Sequence, residues 1–376
     1  MSNKPVYFPG LNGIRAIAAI AVVISHITMG LGEFNIDPRI FGTFPDGSPK
    51  GLWLAGYGVT IFFVLSGFLI TYLLQVEKDV QQVNIKKFYL RRILRIWPLY
   101  YAYLVLTVVT MLLFGLGVNI NTLLLYIFYA ANIPFILNTA FPLLIHYWSL
   151  GVEEQFYLFW PWVNKKLKSL VPFILIAVGV IIAAKLVLHF TYPNSVWETA
   201  IDVTRFHCMM IGALGAVWYK NRYRLFMRIA DNKITQFICW VILLLVAFNQ
   251  YHIASVLDKE IIAVVALLVI IGQIGVTNRL VNLETTIMDF LGRISYGIYV
   301  IHPLVLFFFA KTIGQLSVVT PVNYILAYSV ILAATIFISH LSYNYFERPF
   351  LKFKKRFEVV KSSASREGLG VDPKEE

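Results

Sequence analysis

The sequence predicts an all-α fold: a polytopic transmembrane helical bundle of about ten spans plus a re-entrant or interfacial helix. Three observations predict it. Apolar residues make up 59% of the 376-residue chain and charged residues only 14%, and the mean hydropathy is +0.72, far from the balance of a soluble domain of this length. The apolar residues come in successive blocks of roughly 17 to 25, each long enough to cross ~30 Å of hydrocarbon as a helix. Most of the charge lies in short connections between blocks, which leaves no room for a soluble domain.

The blocks place spans at approximately residues 13 to 31, 53 to 75, 96 to 115, 147 to 163, 170 to 190, 201 to 219, 234 to 250, 260 to 276, 291 to 310 and 322 to 346. No small-residue cleavage site follows the first block, so it is expected to be a retained helix and not a signal peptide. With the N-terminus inside, 25 of the 32 Lys and Arg fall in cytosolic segments and four (Arg39, Lys50, Lys259, Lys311) on the opposite side. That split is a strong positive-inside signal and puts both termini in the cytosol. It also explains the net charge of +12 without nucleic acid, because the basic residues cluster at block ends. Cys208 and Cys239 fall inside spans with no CxxC or Cys/His spacing, so neither a disulfide framework nor a metal site is expected.

In the first span Arg15 and His26 are eleven residues apart, which is about 1100° of helical rotation and a rise of roughly 16 Å. They share one face at two depths. Ionisable groups inside spans are costly, so they are functional candidates by default. One reading has Arg15 snorkelling to the interface and His26 satisfied in the core. The other makes His26 a general base, with Arg15 orienting it or holding an anionic substrate group.

Before the third span, Lys87, Arg91 and Arg95 recur every four residues on one helical stripe, and Arg92 widens it. Such a stripe anchors orientation, and its arginine forks also match phosphate geometry. The segment 119 to 145 is apolar but broken by Pro134 and Pro142. Counting it as a span would put Lys165, Lys166 and Lys168 on the wrong side, so it is expected to be re-entrant or interfacial, packed against protein.

The fourth span opens on His146-Tyr147-Trp148-Ser149 and carries Glu153 and Glu154 ahead of an aromatic run. Ser149 is a candidate cap, and acids suit a first turn. Two carboxylates facing lipid would be costly, so Glu153 or Glu154 is expected to contact acceptor hydroxyls or to pair with Arg205 of the sixth span, for which Asp202 is another candidate partner. In the ninth span Ser295, Tyr299 and His302 form one polar stripe, and Pro303 leaves the Tyr299 carbonyl without its helical donor. His189, His207, His252 and His340 are expected to be interfacial or packed. Residues 1–357 form one membrane domain, and the polar tail 358–376, with Ser362, Ser363 and Ser365, is expected to be disordered and cytosolic.

Six motifs in order resemble those of the acyltransferase-3 family of integral-membrane O-acyltransferases, from Phe8 to about Phe350. They are Leu11-Asn12-Gly13-Ile14-Arg15 with His26; Gly58 to Phe68, containing Ser66; Arg91-Arg92-Ile93-Leu94-Arg95-Ile96-Trp97-Pro98; Trp148 to Tyr157; Ser295-Tyr296-Gly297-Ile298-Tyr299 with His302-Pro303; and Glu347-Arg348-Pro349. The resemblance implies transfer of an acyl group, commonly acetyl, from acyl-CoA to sugars of surface polysaccharide, lipopolysaccharide, peptidoglycan or related glycans. It marks Arg15 and His26 as the central pair, and Arg91, Arg92 and Arg95 as important for the cytosolic donor. Two departures stand out. Many members carry an acidic or small residue where His207 stands, and some carry an extracytoplasmic esterase-like domain that is not found here.

The expected function is therefore acyl transfer in a bacterial inner (plasma) membrane, with acyl-CoA as co-substrate, no bound cofactor or metal, a glycan or glycolipid acceptor, and lipid bilayer around the chain. Ser66, Tyr299 and His302 are grouped with Glu153, Glu154 and Arg205 as acceptor-binding or structural polar residues. A covalent relay through His26 or Ser66 is open but not required. The alternative is a transporter of a glycan or acylated lipid, against which stands the lack of paired Gly/Pro-interrupted segments.

Overall fold

Helix α1 (Leu11–Gly30) leaves Gly10, whose left-handed φ of 71° turns the chain into the first span. The structure is a computed structural model and describes residues 6–44, 47, 49–254, 256–313 and 321–359. Among these residues there is no β-strand, so the chain is an all-α bundle. The tail expected to be disordered lies outside the described residues from position 360 onward.

Helix α2 (Trp53–Val80) and helix α3 (Ile85–Leu113) follow, the latter capped by Asn84, whose side chain accepts from the Lys87 amide. α3 begins eleven residues before the expected span, so the helical arginine stripe forms its first turns. The segment 119–145 resolves into α4 (Ile120–Ile127), α5 (Asn132–Ile136) and a single 3₁₀ turn at Pro142–Leu144, none long enough to cross a bilayer. Next come α6 (Tyr147–Lys166) and α7 (Val171–Thr191). Ser149 does not cap α6; its hydroxyl donates back to the His146 carbonyl at 3.2 Å.

The sixth expected span is not continuous. Arg205 takes a left-handed conformation, φ 43°, that breaks it into α8 (Val196–Thr204) and α9 (Phe206–Lys220). A non-glycine residue there is strained by about 1–3 kcal/mol and persists only where its surroundings hold it. Two short helices, α10 (Arg224–Ala230) and α11 (Lys233–Ala247), meet at a 56° bend, followed by α12 (Asp258–Gly275). The ninth span is divided into α13 (Thr286–Arg293) and α14 (Ser295–Ile313). Helix α15 (Pro321–Leu341) then passes through a π-helical turn, Ser342–Glu347, into α16 (Arg348–Lys354).

Among the described residues, seven helical stretches are long and apolar enough to cross a membrane, or eight if the bent α10–α11 pair is one span. Helices also occupy the remaining expected spans, but α12 opens on Asp258, Lys259 and Glu260, and α6 carries Glu153 and Glu154. α7 exposes Leu175, Ile176, Val180, Val187 and Phe190 along its length, an apolar surface that requires lipid. The chain is an integral membrane protein.

The centre is the crossing of α2 and α9. A Cβ on Gly67 would overlap the Met209 backbone, and one on Gly212 would overlap the Val64 carbonyl, so the two backbones touch because both positions are glycine. α1 lies against α2 and α14, which sets the face bearing Arg15 and His26 toward α3, α6 and α14.

Candidate functional site

α14 carries His302 to α1. His302 Nε2 lies 2.6 Å from His26 Nδ1, and His302 Nδ1 lies 3.1 Å from the Ile298 carbonyl oxygen one turn back. A third ring, His146 at the start of α6, packs on His302 with centroids 5.4 Å apart and directs its Nε2 at the Val300 carbonyl, 3.1 Å away. His302 and His146 are buried, at 1% and 2% exposure, whereas His26 is only half-buried. Of the three residues, His26 is the most exposed. Tyr299 is a buried strut: its hydroxyl donates to the His146 carbonyl at 2.8 Å and also meets Ser149. One residue before His26, the Ser25 hydroxyl donates to the Leu52 carbonyl at 2.8 Å. That bond ties α1 to the segment beside a cavity of about 560 Å³ lined by Thr43, Phe44, Lys50, Asn249, Gln250 and His252.

Arg15 does not orient His26. Its guanidinium donates to Asn12 Oδ1 at 2.9 Å, and Asn12 in turn donates to Asp289 at 2.7 Å. Arg15 instead gathers with Arg92 and Arg95 of α3, close enough for the cations to repel one another, with Glu153 and Tyr157 of α6 facing them. Lys354 of α16 joins the same group. Arg92 stacks its guanidinium 5.4 Å from the Tyr157 ring centroid, and its buried Nε has no hydrogen-bond partner. Among the described residues the Arg95 guanidinium likewise makes no hydrogen bond. Cations gathered around a single facing carboxylate, Glu153, suit an anionic ligand with several oxygens. Arg91 is turned aside: it pairs with Glu77 at 3.1 Å and donates to the Phe357 carbonyl at 2.9 Å.

The expected pairing of Glu153 or Glu154 with Arg205 is not formed. Glu153 accepts from the Ser66 and Tyr157 hydroxyls, and Glu154 accepts a long bond, 3.5 Å, from the Trp97 indole. Both acids lie toward the arginine group because the α6 face that bears them is turned to α2 and α3. Arg205 donates to the Asp202 and Gly56 carbonyls, both at 2.9 Å, and to the Thr60 hydroxyl, and stacks 5.1 Å from the Trp148 centroid. Those contacts hold its left-handed backbone. The Asp202 carboxylate is taken by Lys185 at 3.2 Å and by Lys259, and Lys185 also reaches Glu260 at 2.8 Å. His207 is buried 3.0 Å from Glu260, His189 meets Glu198 and His252 meets Asp258. His340 is met by the Asn344 amide one turn on. Ser295 donates to the Gly292 carbonyl at the helix start and is remote from His26 in role. Among the described residues no three His, Cys, Asp or Glu side chains are placed to hold a metal ion.

His146 and Lys354 were missed as candidates. His146 carried a signal in its place ahead of Trp148-Ser149, whereas Lys354 looked like one more cytosolic charge.

A family model described as an acyltransferase domain matches residues 8–343. Among curated proteins, the chain is similar to a peptidoglycan O-acetyltransferase of Listeria monocytogenes, 28% identical over 92% of this chain and 56% of that protein. It is similar to a putative O-acetyltransferase of Staphylococcus aureus strain COL, 26% identical over 93% of this chain and 58% of the relative. An O-acetyltransferase of Staphylococcus aureus strain NCTC 8325 is 30% identical over 57% of this chain and 35% of its own length. The chain thus spans less than two thirds of the length of these relatives. No solved structure matches it.

Proposed function

This chain belongs to the acyltransferase domain family, and from that premise we propose that it transfers an acyl group, acetyl in the first instance, from cytosolic acyl-CoA to a hydroxyl of a cell-surface or lipid-linked glycan. The observation that carries the reading is α1 itself: one helix presents a half-buried histidine, His26, at one depth and a cation of the buried arginine group, Arg15, about three turns away. Donor phosphates bind Arg92 and Arg95 together with Arg15 and Lys354, and the acyl thioester extends along α1 to His26. Arg91, held by Glu77, keeps α3 in place. The glycan acceptor is supported by the peptidoglycan O-acetyltransferase among the relatives. The charge split supports both termini being cytosolic, and the bacterial relatives support a bacterial inner (plasma) membrane.

The step balances without a cofactor. An imidazole nitrogen of His26 takes the proton of the acceptor hydroxyl as that oxygen bonds to the thioester carbon. The C–S bond then breaks, and the CoA sulfur leaves with the proton returned from His26. General-base catalysis of this kind contributes roughly 10² to 10⁴ in rate. The test is purified protein in lipid nanodiscs with radiolabelled acetyl-CoA and a glycan acceptor. Label in the glycan, with free CoA released in equal amount, is expected. CoA release without glycan label, or neither, would overturn the reading.

A further inference from the structure

The hydrogen bonds behind His26 fix which of its two nitrogens is the base. A carbonyl oxygen only accepts, so His302 Nδ1, 3.1 Å from the Ile298 carbonyl, carries the proton of the neutral ring. His302 Nε2 is then bare. It lies 2.6 Å from His26 Nδ1, a distance that needs one proton between the two nitrogens, and that proton must sit on His26 Nδ1. The neutral His26 ring therefore keeps its lone pair on Nε2. The reverse arrangement would set the His302 Nδ1 lone pair against a carbonyl oxygen and leave His26 with an Nε2–H, an acid where the reaction needs a base.

We propose that His302 is a positioning residue that selects the Nδ1–H tautomer of His26 and so presents the Nε2 lone pair to the acceptor hydroxyl. His302 is fitted for this: it is 1% exposed, one residue before Pro303, and packed between the His26 and His146 rings at centroid distances of 4.9 and 5.4 Å. His146 spends its Nε2 on the Val300 carbonyl and does not compete for the bond. The role is that of the buried orienting group in a nucleophile–base–orienter set, filled here by a neutral ring and not by a carboxylate.

The inference rests on the reading of His26 as base, and the test separates the two. His302→Leu removes the acceptor, while His302→Gln supplies a side-chain carbonyl that can take the His26 proton. In nanodiscs, His302→Leu is expected to lower kcat by about 10² to 10⁴ with both KM values within about twofold, and His302→Gln to restore turnover to within about tenfold. Nitrogen-15 NMR of the histidine rings, with His26 assigned from the signal lost in His26→Ala, reads the tautomer directly. Nε2 should be pyridine-like in the wild-type protein and in His302→Gln. Wild-type turnover in His302→Leu, or a pyridine-like Nδ1 in wild-type His26, would overturn the inference even if His302→Leu proved unstable. Retained turnover in His26→Ala would instead remove the base reading itself.

Discussion

Ser66 donates a hydrogen bond to Glu153, and that bond, with the one from Tyr157, fixes the carboxylate among Arg15, Arg92 and Arg95. Glu153 is thus a counter-charge within the arginine group, and if those cations bind the donor as proposed, it acts on donor affinity. Glu153→Gln keeps the shape and one acceptor oxygen while removing the negative charge. The expected result is a KM for acyl-CoA about two- to tenfold lower, since each charge in a half-buried group is worth about 1 kcal/mol to a multivalent anion. A raised donor KM with unchanged acceptor KM would show that Glu153 itself binds donor.

The three arginines of the stripe separate by role. Arg92→Gln and Arg95→Gln should each raise the acyl-CoA KM by about tenfold or more and flatten its dependence on ionic strength. Arg91→Gln should act on stability, because it leaves Glu77, whose side chain is 2% exposed, without its ion pair. Breaking a buried pair from one side costs about 3 to 5 kcal/mol. Steady-state kinetics across a salt series and thermal unfolding in nanodiscs distinguish the two effects.

Lys185 links Asp202 and Glu260 inside the bundle, so its loss takes one cation from each carboxylate and leaves Asp202 with Lys259 and Glu260 with His207. Lys185→Met should lower stability by about 1 to 3 kcal/mol, less than for a carboxylate left with no partner, and adding Asp202→Asn and Glu260→Gln should recover part of that loss because the excess negative charge goes too. Unfolding midpoints of the single and triple variants check it. Equal midpoints for wild type and Lys185→Met would show that the pairs contribute nothing.

Apolar block length made the bundle legible in the sequence, because a span's requirement for about 20 apolar residues acts locally. The arginine stripe was legible for the same reason, as a spacing on one helix. The partner of His26 was not: His302 is 276 positions away, and only the packing of α14 on α1 brings it close. The break at Arg205 was hidden because its left-handed backbone is held by Gly56, Thr60 and Trp148, all distant in sequence. Glu153 and Glu154 failed as partners of Arg205 on facing, not on depth, because equal depth in two spans does not say which faces meet; Asp202, three residues away, meets Arg205 through its backbone carbonyl. Lys354 escaped notice because α16 returns to α3 only after the π-helical turn at Ser342–Glu347.

If His26 is the base of the acyl transfer, His26→Ala loses turnover without losing donor binding. With purified protein in nanodiscs, saturating acetyl-CoA and a glycan acceptor, the account predicts a fall of about 10² to 10⁴ in kcat with the acyl-CoA KM nearly unchanged. A His26→Ala kcat within about twofold of wild type would contradict it.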